Sequence, residues 1–203
     1  MYSQARAKTL AAQVWPATME TSALSRALRG TALAIVGSLA IWASAKIQVP
    51  FYPVPMTMQT LVILFIAMAY GSTLGAMTVL LYLAEGAMGL PVFAGTPEKG
   101  IGVAYMLGGT GGYLVGFVFA AAVTGWLAER GWDRNVLSTA LALLIGYGLI
   151  FAPGVLWLGA LFGWDKPILA WGLTPFILGG ATKLALGTAL SAVCWKLFRR
   201  QQH

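Results

Sequence analysis

One lysine lies in a stretch that is otherwise almost free of charge. Lys183 follows Thr174, where the last hydrophobic segment starts, by about nine residues. An ammonium group at that depth in a membrane costs roughly 2.5 to 3.5 kcal/mol on insertion scales, so a partner or a ligand must offset it. Snorkelling to the outer interface is the alternative, although that interface lies more than one helical turn away. The position favours a lysine that faces a ligand or forms an ion pair.

Two other polar side chains in apolar segments could share a site with Lys183. Glu85 lies four residues before Gly89, on the outer part of the third hydrophobic segment, and is the candidate ion partner of the lysine. Gln59 lies at the start of the second segment, where its amide could contact a ligand or simply hydrogen-bond a neighbouring helix. Together these residues predict one polar pocket in the outer half of a membrane protein.

The elements that must position these residues are hydrophobic helices. Of the 203 residues, 59% are hydrophobic and 9% are charged, and the mean hydropathy is +0.77. A soluble domain carries about 25% charged residues, and the apolar runs are continuous rather than alternating, which favours helices over barrel strands. The prediction is an all-α, multi-pass protein with six transmembrane helices in one bundle, at residues 27–47, 57–69, 73–89, 108–128, 136–161 and 174–197.

The basic residues predict the orientation of this bundle. Segment 1–26 has no signal-peptide core and is interpreted as a cytoplasmic or interfacial segment ahead of a membrane domain at 27–198. Under that topology nine basic residues lie inside and three outside, so both termini are predicted to be cytoplasmic. The inside set is Arg6, Lys8, Arg26, Arg29, Arg130, Arg134, Lys196, Arg199 and Arg200, and the outside set is Lys46, Lys99 and Lys166.

Several chemistries are excluded or disfavoured. One cysteine, Cys194, and one histidine, His203, exclude a disulfide within the chain and a metal site of the His/Cys kind. The glycine run at 108–112 is not followed by Lys-Ser or Lys-Thr, so it is not a phosphate-binding loop. Gly112 and Gly116 instead have the G-x-x-x-G spacing of helix packing. No nucleophile and base occur together, so no catalytic residue and no cofactor are predicted, and a membrane enzyme is disfavoured.

The irregular segments gather on the outer face. They are a proline-rich loop at 49–56, a glycine-rich loop at 89–107 and a turn at 163–167. Prolines stiffen the first loop, and aromatic residues such as Phe93 and Tyr105 suit the second to cover a ligand. The alternative is that these loops are connectors that contact no ligand.

Five motifs, in order along the chain, resemble the BioY family of biotin transporters. The motifs are VPMTMQTL (54–61), GLPVFAG (89–95), LGGTGGYLVGF (107–117), WLG (157–159) and PFILGGATK (175–183). The resemblance implies the substrate-binding S component of an energy-coupling factor transporter, with a biotin pocket near the outer face of a six-helix bundle in the inner membrane. The ligand-binding residues expected from it are Lys183, Gln59, Glu85, Phe93, Gly95, Tyr113 and Trp157.

The resemblance also implies partner subunits, and this sequence differs from the family pattern at two positions. A transmembrane T component and two ATPase subunits would supply energy, docking on small residues of the first helix. The docking residues expected are Ala34, Ser38, Ala40 and Ser44. Gly109 replaces a proline of the family, and Gly180 stands where its last helix commonly has an acid, so Glu85 is expected to accept from the ureido N–H groups of biotin instead. The alternatives are an S component for thiamine or riboflavin, or a purely structural membrane partner.

Overall fold

The computed structural model describes residues 9–14, 22–49 and 52–200, with side chains described to residue 197. Most of segment 1–26, Pro50 and the side chains of Arg199 and Arg200 therefore lie outside the described residues. The helices are α1 (Leu10–Val14), α2 (Ala23–Lys46), α3 (Gln59–Tyr70), α4 (Ser72–Ala87), α5 (Gly102–Met106), α6 (Gly111–Ala128), α7 (Val136–Phe162), α8 (Ile168–Gly172) and α9 (Thr174–Arg200).

Each of the six predicted segments coincides with one of the longer helices. Within the described residues, α2, α6, α7 and the stretch Ile168–Leu197 are long and apolar enough to cross a membrane. The other two, α3 and α4, have 12 and 16 residues. At 1.5 Å per residue they span about 18 and 24 Å, less than the roughly 30 Å of a hydrocarbon core. A mostly helical bundle with four candidate membrane spans is thus confirmed, and the count of six complete crossings stays a prediction.

A single glycine separates α3 from α4. Gly71 has φ +87° and ψ 178°, a conformation that L side chains rarely adopt, so the chain reverses there within one residue. The Glu129 carboxylate, just after α6, accepts hydrogen bonds from the Ser72 N–H (2.8 Å) and hydroxyl (3.2 Å). An acceptor and a negative charge at a helix N-terminus stabilise its free N–H groups. The α3–α4 hairpin is therefore fixed at its turn by α6.

Close backbone contact joins α6 to α7. A Cβ atom at Gly116 would stand 2.8 Å from the backbone of Ile150, and one at Gly112 would collide with the Pro153 carbonyl. Real Cβ atoms do not approach backbone so closely, so only glycine fits at these two positions. The G-x-x-x-G packing predicted for this pair is confirmed.

Two short strands close the end of the bundle that is predicted to face outward. β1 (Gln48–Val49) pairs antiparallel with β2 (Met56–Thr57), and Met58 N–H donates to the Ile47 carbonyl at 3.1 Å. We call residues 47–58 the outer hairpin. The all-α prediction missed this pairing because prolines within the segment weaken any strand signal. The glycine-rich segment 88–101, called here the cover loop, lies between α4 and α5.

A buried aspartate holds the opposite end together. Asp133 lies in a single 3-10 turn (Trp132–Arg134) between α6 and α7 and is 2% exposed. Its Oδ2 accepts from Trp195 Nε1 at 2.8 Å, and its carbonyl accepts from the Ser191 hydroxyl at 2.9 Å. The turn is thereby tied to α9. Burial raises the pKa of the Asp133 carboxyl above its ordinary value, although the Trp195 bond opposes that shift.

Asp133 should make stability depend on pH. Because the folded protein holds this proton more tightly than the unfolded chain, the folded state gains stability as pH falls from above the raised pKa toward the ordinary value of about 3.9. Asp133→Asn cannot titrate. Unfolding temperatures of both proteins are measured from about pH 7 down to about pH 4, and the wild type should gain stability relative to Asp133→Asn as pH falls. A constant difference between the two proteins would contradict this prediction.

Candidate functional site

A cavity lies beneath the outer hairpin and the cover loop. It is formed where α3, α6 and α9 begin, and by the middle of α7. About 520 Å³ is free of protein atoms when the mouth is included, but only about 50 Å³ admits the centre of a water molecule. Sites for small ligands usually measure about 300–1,000 Å³, so the cavity is closed to all but a small space. Its lining is aromatic and aliphatic apart from Thr57, Gln59, Thr60, Thr110 and Lys183.

Lys183 projects into this cavity and is 7% exposed. Its Nζ donates to the Thr57 carbonyl at 2.5 Å and to the Thr60 hydroxyl at 3.3 Å. Both acceptors are neutral, and an ammonium has three N–H donors. For residues within the described ranges, no carboxylate is among its hydrogen-bond or salt-bridge partners. Burial in the cavity favours the ligand-facing interpretation over snorkelling, and the site can take an anionic group.

Gln59 forms part of the cavity floor. Its Nε2 donates to the Tyr82 hydroxyl at 2.7 Å, and that hydroxyl donates to the Val92 carbonyl at 3.0 Å. Its Oε1 accepts from the Thr57 hydroxyl at 3.3 Å. The amide therefore links α3 to α4 and, through Tyr82, to the cover loop. The hydrogen bond to a neighbouring helix is observed, and contact with a ligand stays a prediction for a side chain that lines the cavity.

Phe93 carries the cover loop into the bundle. Its ring is 1% exposed, stacks on Tyr105 with centroids 4.9 Å apart, and meets the edge of Tyr82 at 5.5 Å. The ring occupies the space where a Cβ atom of Gly86 would stand. Tyr105 also donates to the Ala94 carbonyl at 2.8 Å. Phe93 and Ala94 line the cavity, so this loop forms its roof.

Aromatic rings form the wall opposite the cover loop. Tyr113 of α6 donates its hydroxyl to the Gly172 carbonyl at 2.7 Å, and its ring meets Phe151 edge-on at 5.8 Å. Phe151 in turn contacts Phe176 of α9 with centroids 5.5 Å apart. All three rings line the cavity. Flat apolar walls of this kind suit a ligand with a compact ring system.

The structure does not bring Glu85 to the cavity. Its carboxylate accepts a hydrogen bond from Ser38 of α2. Glu85 immediately precedes Gly86, the residue that faces Phe93, and neighbouring helical positions point about 100° apart. Glu85 therefore faces α2, and the expected pairing with Lys183 is not formed.

Two other expected site residues lie outside the lining of the cavity. Trp157 does not line it: its Nε1 donates to the Gly108 carbonyl at 2.8 Å, which holds the turn before α6. Gly95 has φ +71° and lies in the cover loop beside the aliphatic chain of Lys99.

Gly180, the position where the family commonly has an acid, faces a groove between α7 and α9, and a Cβ atom there would meet nothing within 4 Å.

The expected docking residues of α2 divide between two faces. Ser38 and Ser44 are buried at 1% and 4% exposure, Ala34 is half-buried and Ala40 is exposed. Ser44 donates to the Ile41 carbonyl at 2.7 Å. The docking prediction needs correction for the two serines, because a side chain packed inside the bundle cannot form an exposed face.

Sequence reasoning missed several cavity residues. Thr60, Phe151 and Phe176 line the cavity and were not singled out. Tyr82, which bonds the lining residue Gln59, was also missed, although its hydroxyl lies three residues before Glu85 in the same segment. That spacing could have drawn attention to Tyr82. The two phenylalanines carry no signal of their own in an apolar chain.

One solved structure shares this architecture. It is the crystal structure of the S-component for biotin from an ECF-type ABC transporter, with a TM-score of 0.70 over 90% of this chain and 96% of that one. Sequence identity is 22%, so the likeness establishes the shared fold.

Sequence comparisons identify the family. The probable biotin transporter BioY of Rickettsia prowazekii is 32% identical over 166 residues, 82% of this chain and 83% of the relative. The biotin transporter BioY of Thermotoga maritima is 36% identical over 168 residues, 82% of this chain and 92% of the relative. The BioY family model matches residues 15–200. With its apolar helices, this chain is a multi-pass membrane protein that belongs to the BioY family.

Proposed function

We propose that the chain is the biotin-binding S component of an energy-coupling factor transporter. The observation that carries this proposal is Lys183, a buried ammonium in an aromatic-walled cavity whose partners among the described residues are neutral oxygens. Biotin has a flat, apolar bicyclic body and a carboxylate, which match such a wall and such a cation. The names of the relatives and of the structural neighbour support the same ligand.

The carboxylate of biotin is assigned to Lys183. A carboxylate in the cavity would satisfy the charge of the ammonium, which has no acid partner among the described contacts. The fused rings would lie between the Phe93 roof and the Tyr113 wall, near the Gln59 amide. In this proposal Glu85 acts on the α2–α4 contact instead of on the ureido group.

The proposed assembly places the chain in the inner membrane with six crossings and both termini cytoplasmic. The excess of basic residues on the predicted inner side supports this orientation. The chain has no phosphate-binding motif, so a transmembrane T component and two ATPase subunits would supply the energy. The outward face of α2, with Ala34 and Ala40, is the proposed docking surface.

Calorimetry on the purified protein tests the ligand directly. Biotin is expected to bind tightly with one site, whereas thiamine and riboflavin at the same concentration give no heat and do not compete. Tight binding of thiamine or riboflavin, with none of biotin, would refute the proposed function and support an S component for another vitamin. Absence of binding by all three would leave the family membership as a statement about fold alone.

A further inference from the structure

Lys46 lies at the point where the two covers of the cavity meet. It is the last residue of α2, two positions before β1 of the outer hairpin. Its side chain is directed away from the hairpin and toward the cover loop, which is more than forty residues further along the chain. No part of the proposed binding chemistry uses this lysine, since it does not line the cavity.

The ammonium of Lys46 is surrounded by oxygens of the cover loop. Nζ lies 2.8 Å from the Pro91 carbonyl, 3.2 Å from that of Phe93 and 3.1 Å from that of Thr96. The Thr96 hydroxyl lies at 3.2 Å and itself donates to the Phe93 carbonyl at 2.7 Å. Three N–H donors thus meet three carbonyls of one short segment. Such convergence fixes the curvature of the segment around a single cation.

The segment held in this way is the roof of the cavity. Phe93 and Ala94 lie between the carbonyls that Lys46 binds, and both line the cavity. Among the described side-chain hydrogen bonds, two tyrosines also hold the roof: Tyr82 donates to the Val92 carbonyl, and Tyr105, which lines the cavity, donates to the Ala94 carbonyl. Lys46 is therefore the tie that connects the roof to α2. Because little space is open beneath the roof and Phe93 is buried in it, movement of Phe93 would open a path for the ligand.

We propose that Lys46 is a positioning residue that latches the cover loop to the end of α2 and so sets the rate at which ligand leaves the cavity. The proposal rests on the proposed function for the identity of the ligand, biotin. The same helix carries the proposed docking face, so the latch joins the roof to the element nearest the partner subunits. Exposure of Lys46 to solvent makes the latch separable without unfolding the bundle.

The test uses the full-length protein with Lys46→Met, which keeps the length of the side chain and removes the charge, and Lys46→Arg, which keeps charge and donors. Lys166→Met is the matched control, because Lys166 is exposed on the same predicted face and pairs only with exposed Asp165 at 3.0 Å among described salt bridges. Three quantities are measured: the dissociation rate of labelled biotin, amide hydrogen exchange of residues 91–99 without ligand, and the unfolding temperature without ligand.

Lys46→Met is expected to release biotin roughly tenfold faster and to raise exchange in residues 91–99 by a similar factor, with the unfolding temperature unchanged. Lys46→Arg is expected to keep both the release rate and the exchange of residues 91–99 close to the wild-type values. Lys166→Met is expected to match the wild type. Release at the wild-type rate would overturn the proposal. So would faster exchange spread over all helices with a lowered unfolding temperature, since that marks a purely structural role. If the wild type fails to bind biotin, the proposed function falls, and exchange in ligand-free protein still decides whether the latch exists.

Discussion

Lys183→Met is expected to weaken biotin binding by roughly 100-fold. The variant keeps a side chain of similar length but removes the cation that would meet the ligand carboxylate in a cavity with little open space. Removing one partner of a buried charge pair leaves the other charge unpaired, and this penalty accounts for much of the loss. Calorimetry on the purified variant measures it.

Biotin amide, which has no negative charge, separates the role of Lys183 from its packing. With the amide, the wild type and Lys183→Met should differ by much less than they do with biotin. An equal loss for both ligands would mean that Lys183 contacts another part of biotin. Unchanged biotin affinity in Lys183→Met would refute the assignment of the carboxylate. Lys166→Met, at an exposed lysine, is the control for loss of charge as such.

Gly116→Val is expected to destabilise the folded bundle by about 3 kcal/mol or more. The added side chain would meet the backbone of Ile150 and the Leu149 carbonyl, both 2.8 Å from the first new atom. Backbone cannot rotate away as a flexible side chain can, so α6 and α7 must separate. Tyr113, three residues earlier on α6, would move with the helix and open the cavity wall. Thermal unfolding of purified protein, followed by loss of the monodisperse species, measures the effect.

Gly148→Val on α7 is the matched control for that experiment. Gly148 is also a helical glycine, but a Cβ atom there would meet nothing within 4 Å. The substitution should leave the unfolding temperature within a few degrees of the wild-type value. Equal destabilisation by the two variants would mean that helix propensity, and not the contact between α6 and α7, decides the outcome.

Lys183 could be placed in a site from the sequence because the argument needs no tertiary contact. An ammonium in an apolar helix is unfavourable whatever surrounds it. Gln59 and Phe93 could be placed near the site because they lie in the motifs at 54–61 and 89–95. The bundle itself was predictable because membrane helices need long apolar runs.

Glu85, Ser38 and Ser44 show where sequence reasoning stops. Their assignments depended on the rotation of a helix about its own axis, and an apolar helix gives weak signals for rotation because both the lipid face and the core face are hydrophobic. The structure turns Glu85 and Ser38 toward each other, away from the cavity and from any exposed face. The placement of Trp157 in the cavity was wrong for a different reason. Its hydrogen bond to Gly108 joins segments far apart in sequence, which the sequence alone does not indicate.

The one-residue turn at Gly71 sets the register between side chains on α3 and α4. Gln59 lies twelve positions before Gly71 and Tyr82 lies eleven after it, so the two antiparallel helices carry both side chains about the same distance, roughly 17 to 18 Å, from the turn. Inserting or deleting one residue in either helix would shift one side chain by 1.5 Å and rotate it by about 100°, which breaks the bond between them. The lengths of α3 and α4 therefore determine whether Gln59 and Tyr82 meet. The exposed stretch at 98–101 in the cover loop can change length without altering this register.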